Sequence, residues 1–242
     1  MVPYFNQYHR IAIQKLYPYS SRPLFGDLYM NRERKKLSIA VSEGGSWNGG
    51  DGERVNMDQS YFYHVVTEKP MRLGQHIIFD ETHHSGVYER VMEKSNLVND
   101  IYKHPEKYEH VELEHHVKVA LRELALEEVR QLQYSNYPSR LSSLYVSKEL
   151  VDAKQWAELF IGLKRPTYQI VKLNVLGKVF TGDANNCFEG TTRKEENLKL
   201  AENYWNVARN RKNEPPIWES LVSGDIEVIE IVEEINKNIV GQ

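Results

Sequence analysis

A single cysteine, Cys187, stands in the 242-residue chain, so an internal disulfide and any cysteine-based zinc site are excluded. Apolar runs are short everywhere, well below the roughly 18 consecutive residues of a membrane span. The opening "MVPYFNQYHR" carries no apolar run of signal-peptide length. The expected compartment is therefore the cytosol. A formal net charge of −3, with the basic residues scattered, provides no electrostatic footprint for nucleic acid or an anionic membrane. The glycine-rich stretch Gly44 to Gly52 lacks the Gly-Lys-Ser/Thr ending of a P-loop, and no Gly-x-Ser-x-Gly elbow or His-Glu-x-x-His pair occurs. ATP hydrolysis, serine-hydrolase chemistry and zinc-protease chemistry thus have no motif to rest on.

What is present divides the chain in two. Residues 1–52 combine a turn-like "PYSSRP", the charge run "NRERKK" and the polar, glycine-rich "EGGSWNGGDGE". They also hold Tyr4, Phe5, Tyr8, Tyr17, Tyr19, Phe25 and Tyr29, too many aromatic rings for a solvated tail. We read 1–52 as an aromatic-rich extension with a linker, suited to packing on a second copy as a homodimer arm, and 53–242 as the main domain.

In the main domain, "YFYHVV" and "HIIF" are rich in aromatic and β-branched residues and predict two early strands. Between Pro105 and Gln133, Val117, Leu121, Leu124, Ala125, Val129 and Leu132 recur at helical spacing. "LSSLYVS" reads as a strand, with Ser147 as N-cap of a helix that stops at Gly162. "TYQIVKLNVLG" alternates as a half-buried strand and "TGDANN" is turn-like. Thr192 and Glu195 fit a capping box before a helix through Ala208. "PPIWES" predicts a proline-led short helix, followed by a Ser-Gly-Asp turn and a terminal strand. Without regular strand-helix alternation, the class is α+β.

Nine histidines invite a metal reading, and "HVELEHH" sets His110 and Glu114 one helical turn apart. The same stretch reads as the charged face of an amphipathic helix, so no metal is expected. His64 is placed differently, within the aromatic first strand, where a polar ring needs a partner or a cavity to offset its desolvation. Tyr145 stands at a strand-to-helix join and Asp183 near a strand end. Histidine, tyrosine and acid thus follow one another at strands or strand ends.

The pieces "FYHVV", "MRLGQHI", "LYVSKELVDAKQWAELFIGL", "YQIVKLNVLG" and "TGDANN" together resemble the compact bacterial ADP-ribosyltransferases, especially the rifamycin-modifying type, over about Tyr61 to Val232. The whole chain also resembles an uncharacterised bacterial family of unknown function. The first resemblance implies two small mixed or antiparallel sheets forming a cleft, with flanking helices. It also implies NAD as cosubstrate and a small-molecule or protein acceptor. It makes His64 a ribose-binding donor, Tyr145 the wall stacking on nicotinamide, and Asp183 the carboxylate that favours positive charge at the anomeric carbon. Glu189 is the alternative third residue, since larger toxin-type relatives use glutamate. Where most relatives follow the histidine with glycine, this chain has Val65, which narrows the backbone approach for a dinucleotide.

Overall fold

The structure, a computed structural model, describes residues 60–211 and 213–235. The extension 1–52, its dimer-arm reading and the glycine-rich linker lie outside the described residues. Among the described residues the fold is α+β, with two antiparallel sheets and five α-helices.

Strand β1 (Ser60–Val66) sends Phe62 and Val66 to one face and Tyr63 and Val65 to the other. The first pair packs into a core with Leu173, Val175, Ile226 and Val228. The second meets Ala153 and Ala157 of a helix laid across the sheet. This sheet has the order β1-β4-β7-β2, with β2 at His76–Phe79, β4 at Gln169–Leu176 and β7 at Gly224–Glu234. Apolar residues on both faces of β1 and β4 place these strands between the core and the helix. Register shifts between Ile170/Val171 and Lys172/Leu173 insert bulges along β7, which strengthen its twist.

The second sheet has the order β3-β6-β5, from β3 (Leu144–Val146), β6 (Trp218–Val222) and β5 (Val179–Asp183). It joins the first sheet at two points. Tyr63 and Ser147 exchange backbone hydrogen bonds of 2.8 Å in both directions. β6 also runs into β7 through Ser223, and the β4–β5 connection crosses this turn at two glycines. Gly224 has φ +105°, and a Cβ on Gly177 would lie 1.8 Å from the Ser223 carbonyl oxygen. Neither position has room for a side chain.

Helices α1 (Gly86–Glu93) and α2 (Ser95–Lys103) pack on the first half of α3 (His115–Gln133) through Val91, Val98, Ile101, Val117 and Leu121. The second half of α3 packs on α5 (Lys194–Trp205) and the second sheet. There Tyr204 and Trp205 are fully buried, and Trp205 Nε1 donates to the Leu126 carbonyl at 2.8 Å. Burial of such rings contributes about 2–3 kcal/mol each. Helix α4 (Leu150–Gly162) covers β1.

Several local expectations are corrected. Ser147 is not a helix cap: its backbone bridges the two sheets, and Glu149 precedes α4 with no side-chain cap bond. The capping box at Thr192 and Glu195 does not form either. Thr191 Oγ1 instead accepts from the Arg193 N–H at 3.2 Å, and α5 ends at Trp205. "PPIWES" does not form a helix: Trp218 begins β6, because Trp218 to Val222 can complete the second sheet between β3 and β5. Thr181 to Asp183 belong to β5. The long predicted helix begins only at His115, so His110 and Glu114 do not share a helical face.

Candidate active-site cavity

The junction of the two sheets forms one wall of a cavity of about 140 Å3. β1 contributes Tyr63, His64 and Val65, β3 contributes Tyr145 and Val146, and Glu219 enters from β6. Helix α4 adds Trp156 and Phe160, and α3 adds His115, His116, Arg122 and Glu123. Arg140 and Cys187 complete the polar floor.

His64 lies beside the bridge that joins the sheets. Its Nδ1 is 2.8 Å from the Tyr145 carbonyl oxygen, which only accepts, so Nδ1 carries the proton. Burial pushes the imidazole down to about 4, with the Tyr145 carbonyl opposing part of that shift. At neutral pH the ring is uncharged and Nε2 is an acceptor. The expected donor to a ligand hydroxyl is thereby corrected: the single ring proton is already committed to Tyr145.

Tyr145 alternates with Leu144 and Val146, whose side chains enter the first core. Its own ring turns to the opposite face, half-buried on the cavity, with the Arg140 guanidinium carbon 5.2 Å from its centroid. Val65 is buried against α4 and also lines the cavity, where it takes the place of the backbone access a glycine would leave.

The predicted acid is elsewhere. Asp183 does not line the cavity; it is buried at the end of β5, where its carboxylate is saturated by neighbours. It accepts from the Asn185 N–H at 2.9 Å, the Ile217 N–H at 2.9 Å and Asn210 Nδ2 at 2.7 Å. These bonds fasten the loop before β6. Glu189 is 59% exposed and pairs with Lys118 at 3.0 Å, also away from the cavity. Two carboxylates do line the cavity with His64 and Tyr145: Glu123 from α3 and Glu219 from β6.

Glu219 belongs to a buried ionic lattice. Arg140 Nη1 donates to Glu219 Oε1 at 2.9 Å and to the Tyr204 hydroxyl at 2.5 Å. The Tyr204 hydroxyl in turn donates to Glu219 Oε1 at 2.7 Å. Arg140 Nε reaches Glu123 Oε2 at 3.0 Å, while Arg122 Nε holds Glu123 Oε1 at 2.9 Å. Burial opposes the charges of Arg122, Glu123 and Arg140, yet Glu123 helps to hold both guanidinium groups charged and is itself held ionised by them. Burial pushes the Cys187 thiol up, so it is a neutral neighbour of the two arginines. A lattice of this kind is rigid because removing one member strands a buried charge.

The sequence hid most of this. Arg122 and Glu123 lie among the charges of an amphipathic helix, and Arg140 lies in "YPSRLSS", which reads only as a break. Glu219 was concealed by the helix reading of "PPIWES"; its signal is the β-branched terminal strand that follows at once. His115 and His116, noticed for metal binding, instead form a cavity wall. Among the described residues, no cluster of three or more His, Cys, Asp or Glu is arranged to hold a metal ion, and no helix is long and apolar enough to cross a membrane.

These features define an α+β domain with a histidine, a tyrosine and a glutamate around one cavity at the junction of two antiparallel sheets. The sequence profile of the family described as "Protein of unknown function (DUF2441)" matches residues 62–234, and the chain belongs to that family. No curated protein matches the chain.

Proposed function

We propose that the protein is an NAD-dependent ADP-ribosyltransferase acting on a small-molecule or protein acceptor. The observation that carries the reading is the shared cavity of His64, Tyr145 and Glu219, drawn from three strands far apart in sequence. The resemblance of "FYHVV" and "LYVSKELVDAKQWAELFIGL" to the compact bacterial transferases supports it. On this reading the Tyr145 ring stacks on nicotinamide, because a flat π face holds the leaving ring without polar demands. His64 Nε2 accepts from a ribose hydroxyl. Glu219, rather than Asp183 or Glu189, supplies the carboxylate. The bond between nicotinamide nitrogen and ribose C1′ breaks with its electron pair leaving on nicotinamide. Positive charge then grows at C1′, where a fixed carboxylate in a largely enclosed site is effective. The acceptor's nucleophilic atom bonds to C1′ and releases its proton to solvent.

Titration calorimetry with NAD and chromatographic assay of released nicotinamide test the reading. Binding at submillimolar NAD with slow nicotinamide release is expected. Folded protein that binds no NAD at millimolar concentration refutes it.

A second reading is a ligand-binding or interaction module without catalysis, acting as a homodimer. Val65 in the cavity wall favours it, because this side chain narrows the approach to the β1 backbone. Under that reading ligand binds without nicotinamide release. Sedimentation of the full chain beside one lacking residues 1–52 tests the dimer, and monomers in both cases end it.

A further inference from the structure

Glu219 is held asymmetrically. Both donors that reach it, the Tyr204 hydroxyl at 2.7 Å and Arg140 Nη1 at 2.9 Å, meet on Oε1. Tyr204 is fully buried, its ring fixed by Phe180 at 5.4 Å and by Trp205 at 5.0 Å between centroids, and it does not line the cavity. Its hydroxyl therefore reaches the cavity only indirectly, through Glu219 and Arg140. Arg140 joins the same lattice to the other site residue, since its guanidinium lies between the Tyr204 ring at 4.9 Å and the Tyr145 ring at 5.2 Å.

We propose that Tyr204 and Arg140 are positioning residues that clamp Oε1 of Glu219 and so leave Oε2 as the one oxygen offered to the ligand. Two donors on a single carboxylate oxygen fix the plane of the group and stop it rotating. A carboxylate that keeps its orientation before the ligand arrives needs no reorganisation as charge grows. Arg140 transmits the same restraint to Tyr145, so the ring that would stack and the carboxylate that would face ribose are set by one guanidinium. The catalytic part of this inference rests on the transferase reading above.

The test is Tyr204→Phe in the full-length chain, which removes one hydroxyl and retains the ring. Tyr102→Phe is the control, since it removes a hydroxyl bonded to Leu121 and Asn197 while keeping its ring, and touches neither Tyr204 nor Glu219. With NAD as the probe, kcat for nicotinamide release in Tyr204→Phe should fall by about 10- to 100-fold while KM moves by less than about threefold. Tyr102→Phe should keep kcat per folded molecule. An unchanged kcat in Tyr204→Phe, or an equal fall in both variants, overturns the catalytic claim. Crystal structures of the wild type and Tyr204→Phe decide the clamp without any turnover. A rotated or divided Glu219 carboxylate upholds it, and an unchanged one overturns it. A wild type without nicotinamide release sinks the transferase reading alone, and the crystallographic comparison still decides the clamp. Should Tyr204→Phe not fold, Arg140→Lys, which keeps the charge but not the forked geometry, gives the same two readouts.

Discussion

The imidazole Nδ1 of His64 and the backbone carbonyl of Tyr145 lie 2.8 Å apart, tying the first strand of one sheet to the first strand of the other at the mouth of the cavity. The bond does two things at once. It fixes which ring nitrogen bears the proton, and it ties Tyr145, two residues before the inter-sheet bridge partner Ser147, to β1.

The burial of His64 has a pH signature, which its bond to Tyr145 partly offsets. His64 is depressed in the fold to about 4 from an ordinary value of 6.5, so between these values the unfolded chain binds the extra proton. Its contribution to stability is complete above pH 6.5 and is lost as pH falls toward 4. The loss amounts to at most about 3 kcal/mol. Urea unfolding at pH 7, 5.5 and 4.5 should show it, and His64→Gln should flatten the dependence. An equally steep slope in His64→Gln would assign the effect to other groups.

Tyr145 separates stacking from hydrogen bonding. Tyr145→Phe should keep NAD affinity within about threefold, whereas Tyr145→Ala should weaken it by about 10-fold or more, the scale of one lost stacking contact. Calorimetry on both folded variants is the measurement. Equal affinities for Tyr145→Ala and wild type would remove the ring from the binding site.

The buried acids Glu219 and Asp183 should behave in opposite ways. Glu219→Gln keeps an acceptor for Tyr204 but loses the charge, so nicotinamide release should drop by about 100-fold or more with NAD binding largely retained. Asp183→Asn disturbs a carboxylate with three donors and should cost about 1–3 kcal/mol in stability, with release per folded molecule unchanged. If activity instead follows Asp183, the third residue has been misassigned.

Glu123 is the centre of the lattice, holding Arg122 and Arg140 together. Glu123→Ala leaves two buried guanidinium groups short of a partner and should destabilise the domain by about 3–5 kcal/mol. Thermal unfolding reads this directly. A change below about 1 kcal/mol would mean that water or rearrangement compensates the arginines.

Much of the scaffold was legible along the chain. The alternation in "YQIVKLNVLG", the aromatic run around His64 and the helix ending at Gly162 each carry their own period, and each formed as read. Helices α1 and α2 were missed because, at only 8 and 9 residues, they are too short for a helical period to stand out; α3 supplies the partner that stabilises them. The β6 strand was misread for a related reason. Five residues after a proline pair have no decisive local preference, and the ladders offered by β3 and β5 settle their conformation.

By itself, the amino-acid sequence determined the α+β class and the positions of His64 and Tyr145 on strands. Those properties follow from period and composition, which neighbouring residues encode. Only the tertiary structure decided which acid meets them. Asp183 and Glu219 lie one register position apart on paired strands, opposite Trp218 and Gly182 respectively, and the first meets three loop donors while the second meets Arg140 and Tyr204. The choice depends on the partners each carboxylate finds once it is buried, and those partners come from distant parts of the chain.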